Sequence, residues 1–151
     1  QNVVEDPSLE ERSFIFLDNE IKNDMHIIAG YEWNRKMFKV HTSILKDRCN
    51  YFKFALSDQN ICNNLDEIVV FYKEDISPEI FKLILDYIYT GEVSTVIYDT
   101  DVNILDLIIA ADEMLLPKLV SILESILIDK YFKHFSTEIE TWIFCLIRIN
   151  Q

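Results

Sequence analysis

The chain has 151 residues, half of them apolar, and carries a formal net charge of -12 at pH 7. This length fits one domain, and the apolar fraction is sufficient for a hydrophobic core. The acidic balance argues against nucleic acid and against an anionic membrane surface as partners, since both bind basic protein faces.

The first predicted element is a helix from about Leu9 to Ile21. Ser8 is followed three residues later by Glu11, which is a capping-box pattern. The run "SFIFL" favours β structure, so a strand there is the alternative. One broad face of the helix would carry four apolar residues, Leu9, Phe16, Leu17 and Ile21. That face has to be covered, either by the domain's own core or by a two-fold homodimer contact.

A hairpin is predicted next, because the apolar stretches "MHIIAG" and "KMFKVHT" flank the turn "YEWNR". The following stretch, "SILKDRCNYFKFAL", is typical of one helix or of two short ones. Polar "SDQNICNNLD" indicates a loop, and "EIVVF" a short buried strand.

The stretch "SPEIFKLILDYIYTG" predicts a helix with defined ends. Ser77 can cap its N-terminus, and Pro78 suits the first helical position. Gly91 can adopt the left-handed conformation that closes a helix. The polar residues fall on one narrow stripe, formed by Glu79, Lys82 and Asp86.

Two later helices have equally thin polar stripes. In "DVNILDLIIAADEML" the stripe is Asn103, Asp106 and Glu113, and in "PKLVSILESILI" it is Lys118, Ser121 and Ser125. Helices of this kind must pack on one another or on a sheet over most of their surface. The element order therefore predicts an α+β fold, a small three-stranded sheet flanked by a cluster of helices.

No pattern in the sequence indicates chemistry. Two glycines are too few for a phosphate-binding loop, and the three histidines stand far apart, outside any metal motif. An odd cysteine count indicates no disulfide framework and favours a reducing intracellular location, cytoplasmic or nuclear. We therefore predict no enzyme, no catalytic, cofactor or metal site, and no small-molecule substrate.

Three stretches together resemble the BTB/POZ domain family. "FKVHTSILKDRCNYFKFAL" is similar to the family's pattern of an aromatic residue, a His, an Ile/Val-Leu pair and a Tyr-Phe pair. "ISPEIFKLILDYIYTGEV" is similar to its most recognisable helix, and "NILDLIIAADEMLLPKLVSILESIL" to the helical pair that follows. The resemblance covers residues 24–128 and implies a protein–protein interaction domain without catalysis.

The resemblance also implies a division of the chain. Residues 1–23 would be an N-terminal helical extension and residues 24–128 the BTB/POZ-like domain. Residues 129–151 would be a C-terminal helical extension, which we interpret as the start of a following module or as a terminal helix folding back. Dimerising family members use an N-terminal helix, so Leu9, Phe16, Leu17 and Ile21 are the candidates for a homodimer interface.

Other site candidates follow from the same resemblance. Cullin-binding members carry a hydrophobic-x-Glu motif in the loop after the Tyr-Phe helix, and here its Glu is absent. The candidate contacts with a cullin or another partner are Ile61, Cys62 and Tyr89. Asp24 and His41 match an acidic residue and a His of the family and are predicted to be structural, with His41 bonded to Asp24 or to backbone. The expected function is a homodimerising scaffold, with a cullin ubiquitin-ligase adaptor as the alternative.

Overall fold

The computed structural model describes residues 14–15, 22–57, 68–99 and 102–149. The strands are β1 Phe14–Ile15, β2 Met25–Ala29, β3 Lys36–Val40 and β4 Val69–Lys73. The helices are α1 Thr42–Arg48, α2 Asn50–Ala55, α3 Pro78–Thr90, α4 Val96–Asp99, α5 Ile104–Glu113 and α6 Pro117–Ile149.

The strands form one sheet in the order β1-β3-β2-β4. The predicted hairpin is confirmed, since β2 and β3 are antiparallel and Met25 lies opposite Val40. β4 runs parallel to β2 along its other edge. All five residues of β2 are buried, as expected for the central strand of a sheet covered by helices. The three longer strands confirm the predicted α+β sheet, and β1 adds a two-residue strand at its edge.

The helix predicted over Leu9–Ile21 is wrong at Phe14 and Ile15, where the alternative of a strand is confirmed. These two residues pair in parallel with Phe38 and Lys39. The backbone groups on the outer edge of β3 need hydrogen-bond partners, and a β-favouring segment supplies them better than a helix. The predicted interface residues Leu9, Phe16, Leu17 and Ile21 lie outside the described part of the chain, so their role stays a prediction.

Two short helices, rather than one, follow the hairpin. Cys49 separates α1 from α2 with an extended backbone, and its N–H donates to Leu45 O at 2.9 Å. The Cys49 thiol is buried and donates to Met114 O at 3.2 Å, which draws this residue into the core. Burial raises the pKa of the Cys49 thiol, so the group stays protonated and unreactive.

Both predicted ends of α3 are confirmed. The Ser77 hydroxyl accepts from the Ile80 N–H at 3.4 Å, Pro78 occupies the first turn, and Gly91 is left-handed with φ 75°. The buried face of α3 packs on the sheet, where the rings of Phe81 and Phe38 meet edge to face at 5.4 Å. On the polar stripe, Lys82 and Asp86 form an ion pair at 2.9 Å.

The prediction of a single thin polar face is wrong for α5 and α6. α5 buries Leu107 and the pair Ala110–Ala111, yet Leu105 and Ile109 are 55% and 66% exposed. On α6 the apolar residues that face the core are buried as far as Ile126. Every side chain from residue 131 to residue 148 is exposed. The alternative of a terminal helix folding back is therefore also wrong for the described residues, because α6 is one uninterrupted helix and its side chains from residue 131 to residue 148 have no cover from the domain.

Candidate interaction surfaces

Asp24 closes the N-terminus of α1. Its carboxylate accepts from the Thr42 N–H at 2.8 Å and also from the Thr42 hydroxyl. Its backbone joins the three long strands, since the Asp24 N–H donates to Val40 O and the Val69 N–H donates to Asp24 O, each at 3.2 Å. The carboxylate thus satisfies an N–H that a helix start leaves without an intrahelical partner. These are the contacts of a helix cap, and they agree with a structural role.

His41 and Tyr89 form the centre of a second polar network. The His41 N–H donates to the Tyr89 hydroxyl at 3.0 Å, and His41 Nδ1 lies 3.0 Å from the same oxygen. Arg48 donates to the carbonyls of Ile88 and Tyr89, where a cation complements the C-terminal dipole of α3. The network ties the end of α3 to both ends of α1. Burial raises the pKa of Tyr89, so its hydroxyl remains protonated.

Tyr89 is one of the predicted partner contacts, and its hydroxyl lies within this intrachain network. Its side chain is half-buried, so an additional contact with a partner stays a prediction.

Replacing Tyr89 with phenylalanine should lower the free energy of unfolding by about 1–2 kcal/mol, because the half-buried hydroxyl loses its bonds to His41 and leaves the His41 N–H without this acceptor. Urea denaturation of the full chain measures this change. Tyr98→Phe is the matched control, since the Tyr98 side chain is 57% exposed. Equal stability of the two variants would mean that the hydroxyl of Tyr89 contributes nothing.

Lys73 is a buried cation that joins β4 to α5. Its Nζ lies 2.8 Å from Asp75 Oδ2, contacts the Glu113 carboxylate and stands 5.2 Å above the centre of the Tyr51 ring. Burial lowers the pKa of Lys73, but the hydrogen bonds to Asp75 and Glu113 outweigh burial and leave that pKa above its ordinary value. Burial likewise raises the pKa of Asp75, and hydrogen bonding to Lys73 and Glu113 lowers it further than burial raises it.

A groove of about 340 Å³ lies beside this ion-pair cluster, between the start of α3 and the face of α5. Its lining combines apolar side chains with carboxylates and includes Ile76, Ile80, Ile109, Asp75, Asp106 and Glu113. Across the residues that the structure describes, no set of three or more His, Cys, Asp or Glu side chains is arranged to hold a metal ion. Within those same ranges, no helix combines the length and the apolar character that crossing a membrane requires.

In the part of the chain that the structure describes, the largest group of exposed apolar side chains lies on the distal half of α6. Phe132, Trp142 and Phe144 are each at least 70% exposed, although aromatic side chains of soluble domains usually lie inside. A further exposed aromatic residue, Phe54, lies on α2. The two remaining candidate contacts, Ile61 and Cys62, fall outside the described residues, so their roles stay predictions.

The comparison with protein families gives one match. The model of the BTB/POZ domain matches residues 16–131.

Among curated proteins, the BTB/POZ domain-containing protein 6 of Xenopus tropicalis is 30% identical over 87 residues. The match covers 58% of this chain and 16% of the relative, so the chain corresponds to a small part of that protein's length.

Solved structures give similar results. The BTB domain of human Gigaxonin superposes with a TM-score of 0.53 at 24% identity, covering 68% of this chain and 75% of that one. The BTB domain of zebrafish PATZ1 gives a TM-score of 0.53 at 21% identity, with coverages of 71% and 76%. At these identities the likeness establishes the fold.

Proposed function

The chain belongs to the BTB/POZ domain family, and from this premise we propose that it is a protein–protein interaction module that homodimerises within a larger protein. The family consists of interaction domains, and the observation that carries the proposal is the uncovered apolar surface of an otherwise well-packed domain. Leu105 and Ile109 on α5 and the apolar side chains on the distal half of α6 are exposed, although the domain has a buried hydrophobic core that ends on α6 at Ile126. Large exposed apolar surfaces mark interaction sites in soluble proteins.

The N-terminal segment is the proposed homodimer contact. β1 brings this segment to the edge of β3, and the apolar residues Phe16 and Leu17 follow β1 directly in the sequence. A two-fold contact would bury the same apolar residues of both copies symmetrically.

Light scattering of the full chain at micromolar concentration should give a mass of at least twice 17.9 kDa. Leu17→Asp should weaken this association about tenfold or more, because it places a charge in an apolar contact. Asn19→Asp adds the same charge at a neighbouring position off the predicted apolar face and should leave the mass unchanged. A monomeric wild-type chain would contradict the proposal.

The proposal includes no catalytic activity. The polar side chains of the three clusters bond to partners within the chain, Asp24 to Thr42, His41 to Tyr89, and Lys73 to Asp75 and Glu113. It also places the protein in the cytoplasm or nucleus, because Cys49 and Cys145 are free thiols, which suit a reducing compartment.

A cullin-recruiting substrate receptor is the alternative proposal. One observation favours it, since Phe54 is 66% exposed on α2, shortly before the segment that contains Ile61. An apolar anchor at that place could replace part of the contact that the missing Glu would make. Binding of a purified cullin N-terminal domain to the full chain, weakened by Phe54→Ala, would favour this alternative over the plain scaffold.

A further inference from the structure

Six of the exposed apolar side chains on the distal half of α6 recur at alternating spacings of four and three residues. We call this set the α6 seam: Ile128, Phe132, Phe135, Ile139, Trp142 and Leu146. Each is between 52% and 72% exposed. Alternation of this kind is the heptad pattern of a coiled coil, in which these residues are the a and d positions. Most of the residues between them are polar, among them Asp129, Lys133, Thr137 and Glu140.

The α6 seam faces away from the domain body. At about 100° per residue, the centre of the seam lies roughly 170° around the helix from the centre of the buried set Leu119, Leu123 and Ile126. Lys130 is on the body side, where its Nζ donates to Ile97 O at 2.8 Å. The domain's own core therefore cannot cover the seam.

The outward side of α6 changes character where the helix leaves the body. Beside the core it carries the polar stripe Lys118, Ser121 and Ser125, and it becomes apolar from Ile128 onward. A helix that only faced solvent would have stayed polar along this side. The change indicates that the distal half is built to pack against another helix.

We propose that the α6 seam pairs with the α6 seam of a second copy in a parallel two-stranded coiled coil. This goes beyond the N-terminal homodimer, because it assigns a second and separate self-association surface. The charges flanking the seam favour the parallel arrangement. The parallel arrangement places Glu138 opposite Ile143 of the other copy. An antiparallel pair centred on the seam places the two Glu138 carboxylates close together, where their like charges repel.

The seam is large enough for a stable contact. Each copy contributes three aromatic side chains, Phe132, Phe135 and Trp142. A fully buried aromatic residue accounts for about 150–250 Å², and since about two thirds of each of these side chains is exposed, the six rings of a pair can bury about 600–1,000 Å². A specific interface needs at least about 1,000 Å², which the pairing reaches once Ile128, Ile139 and Leu146 of both copies are added.

Trp142 is a direct reporter of this pairing. The chain has two tryptophans, so Trp33→Phe leaves Trp142 as the sole emitter of the full chain. We expect its emission to be blue-shifted and protected from acrylamide at high micromolar concentration. Both effects should be lost on dilution, because the isolated chain leaves Trp142 72% exposed.

Two charge substitutions provide the matched pair of variants. Ile139→Glu places a carboxylate in the seam and should weaken the concentration-dependent burial of Trp142 about tenfold or more. Thr137→Glu adds the same charge outside the seam and should leave that burial unchanged. An exposed Trp142 at every concentration would overturn the proposal, and so would burial of Trp142 in a species that light scattering shows to be monomeric, since another part of the same molecule would then cover it.

Cysteine crosslinking tests the orientation. In a background with both Cys62→Ser and Cys145→Ser, Phe135→Cys should give an intermolecular disulfide on mild oxidation, because equivalent d positions face each other in a parallel pair. Thr137→Cys is the control outside the seam and should not crosslink. Absence of the Phe135→Cys disulfide while Trp142 is buried would overturn the parallel arrangement. Association that is lost in Leu17→Asp but unaffected by Ile139→Glu would remove the seam pairing and leave the proposed N-terminal homodimer intact.

Discussion

Gly30→Ala is expected to lower the free energy of unfolding by about 2–5 kcal/mol, because the strain of a left-handed alanine and the cost of overpacking add up. Gly30 ends β2 with φ 88°, and its N–H donates to Lys73 O at 3.2 Å. A Cβ there would lie 2.7 Å from Asn34 O and 2.9 Å from the ring of Pro78. The hairpin turn and the start of α3 would have to move apart to make room for a methyl group.

Gly91→Ala is the matched control for this prediction. Gly91 has a similar φ of 75°, yet a Cβ there would meet nothing within 4 Å. We expect this variant to lose only about 1–2 kcal/mol, which is the backbone strain alone. Urea denaturation followed by circular dichroism measures both variants. If the two alanines cost the same, the contact of Gly30 with Asn34 and Pro78 is not a structural constraint.

Phe81→Ala is expected to cost about 3–5 kcal/mol, because it opens a cavity in the centre of the core. Phe81 has no exposed surface, and its ring meets Phe38 of β3 edge to face. This contact is where α3 packs on the sheet. Domains are typically stable by about 5–15 kcal/mol, so this variant would lose a large part of its stability.

Phe54→Ala is the control for the core substitution. It removes the same side chain from an exposed position, so the expected change is within about 0.5 kcal/mol. Thermal and urea unfolding of the two variants should therefore differ strongly. A mild effect of Phe81→Ala would show that α3 and the sheet can close around the missing ring.

The features that could be predicted from the sequence are those that neighbouring residues determine. The cap at Ser77 and the left-handed Gly91 each follow from local backbone chemistry, and both are present. The hairpin of β2 and β3 also follows from a short turn between two apolar runs.

The features that could not be predicted depend on contacts between distant residues. Lys73 and Glu113 are 40 residues apart, and nothing near either of them indicates the other. β1 needs the open edge of β3, which a helix-capping pattern at Ser8 cannot reveal. For α5, the composition correctly indicates a mostly apolar helix, but only the packing shows that Leu105 and Ile109 point outward.

Because α6 is uninterrupted, it sets both the distance and the orientation of its far end relative to the core. Its 33 residues form a rod of about 50 Å, anchored at one end by the core. A group fused to the far end of α6 would have a defined rotation about the helix axis relative to the sheet. Inserting one residue near the far end would move that group by about 1.5 Å along the helix axis and rotate it by about 100° about that axis. Inserting seven residues would return it almost to its original rotation. Any group attached there would therefore keep a fixed orientation relative to the domain.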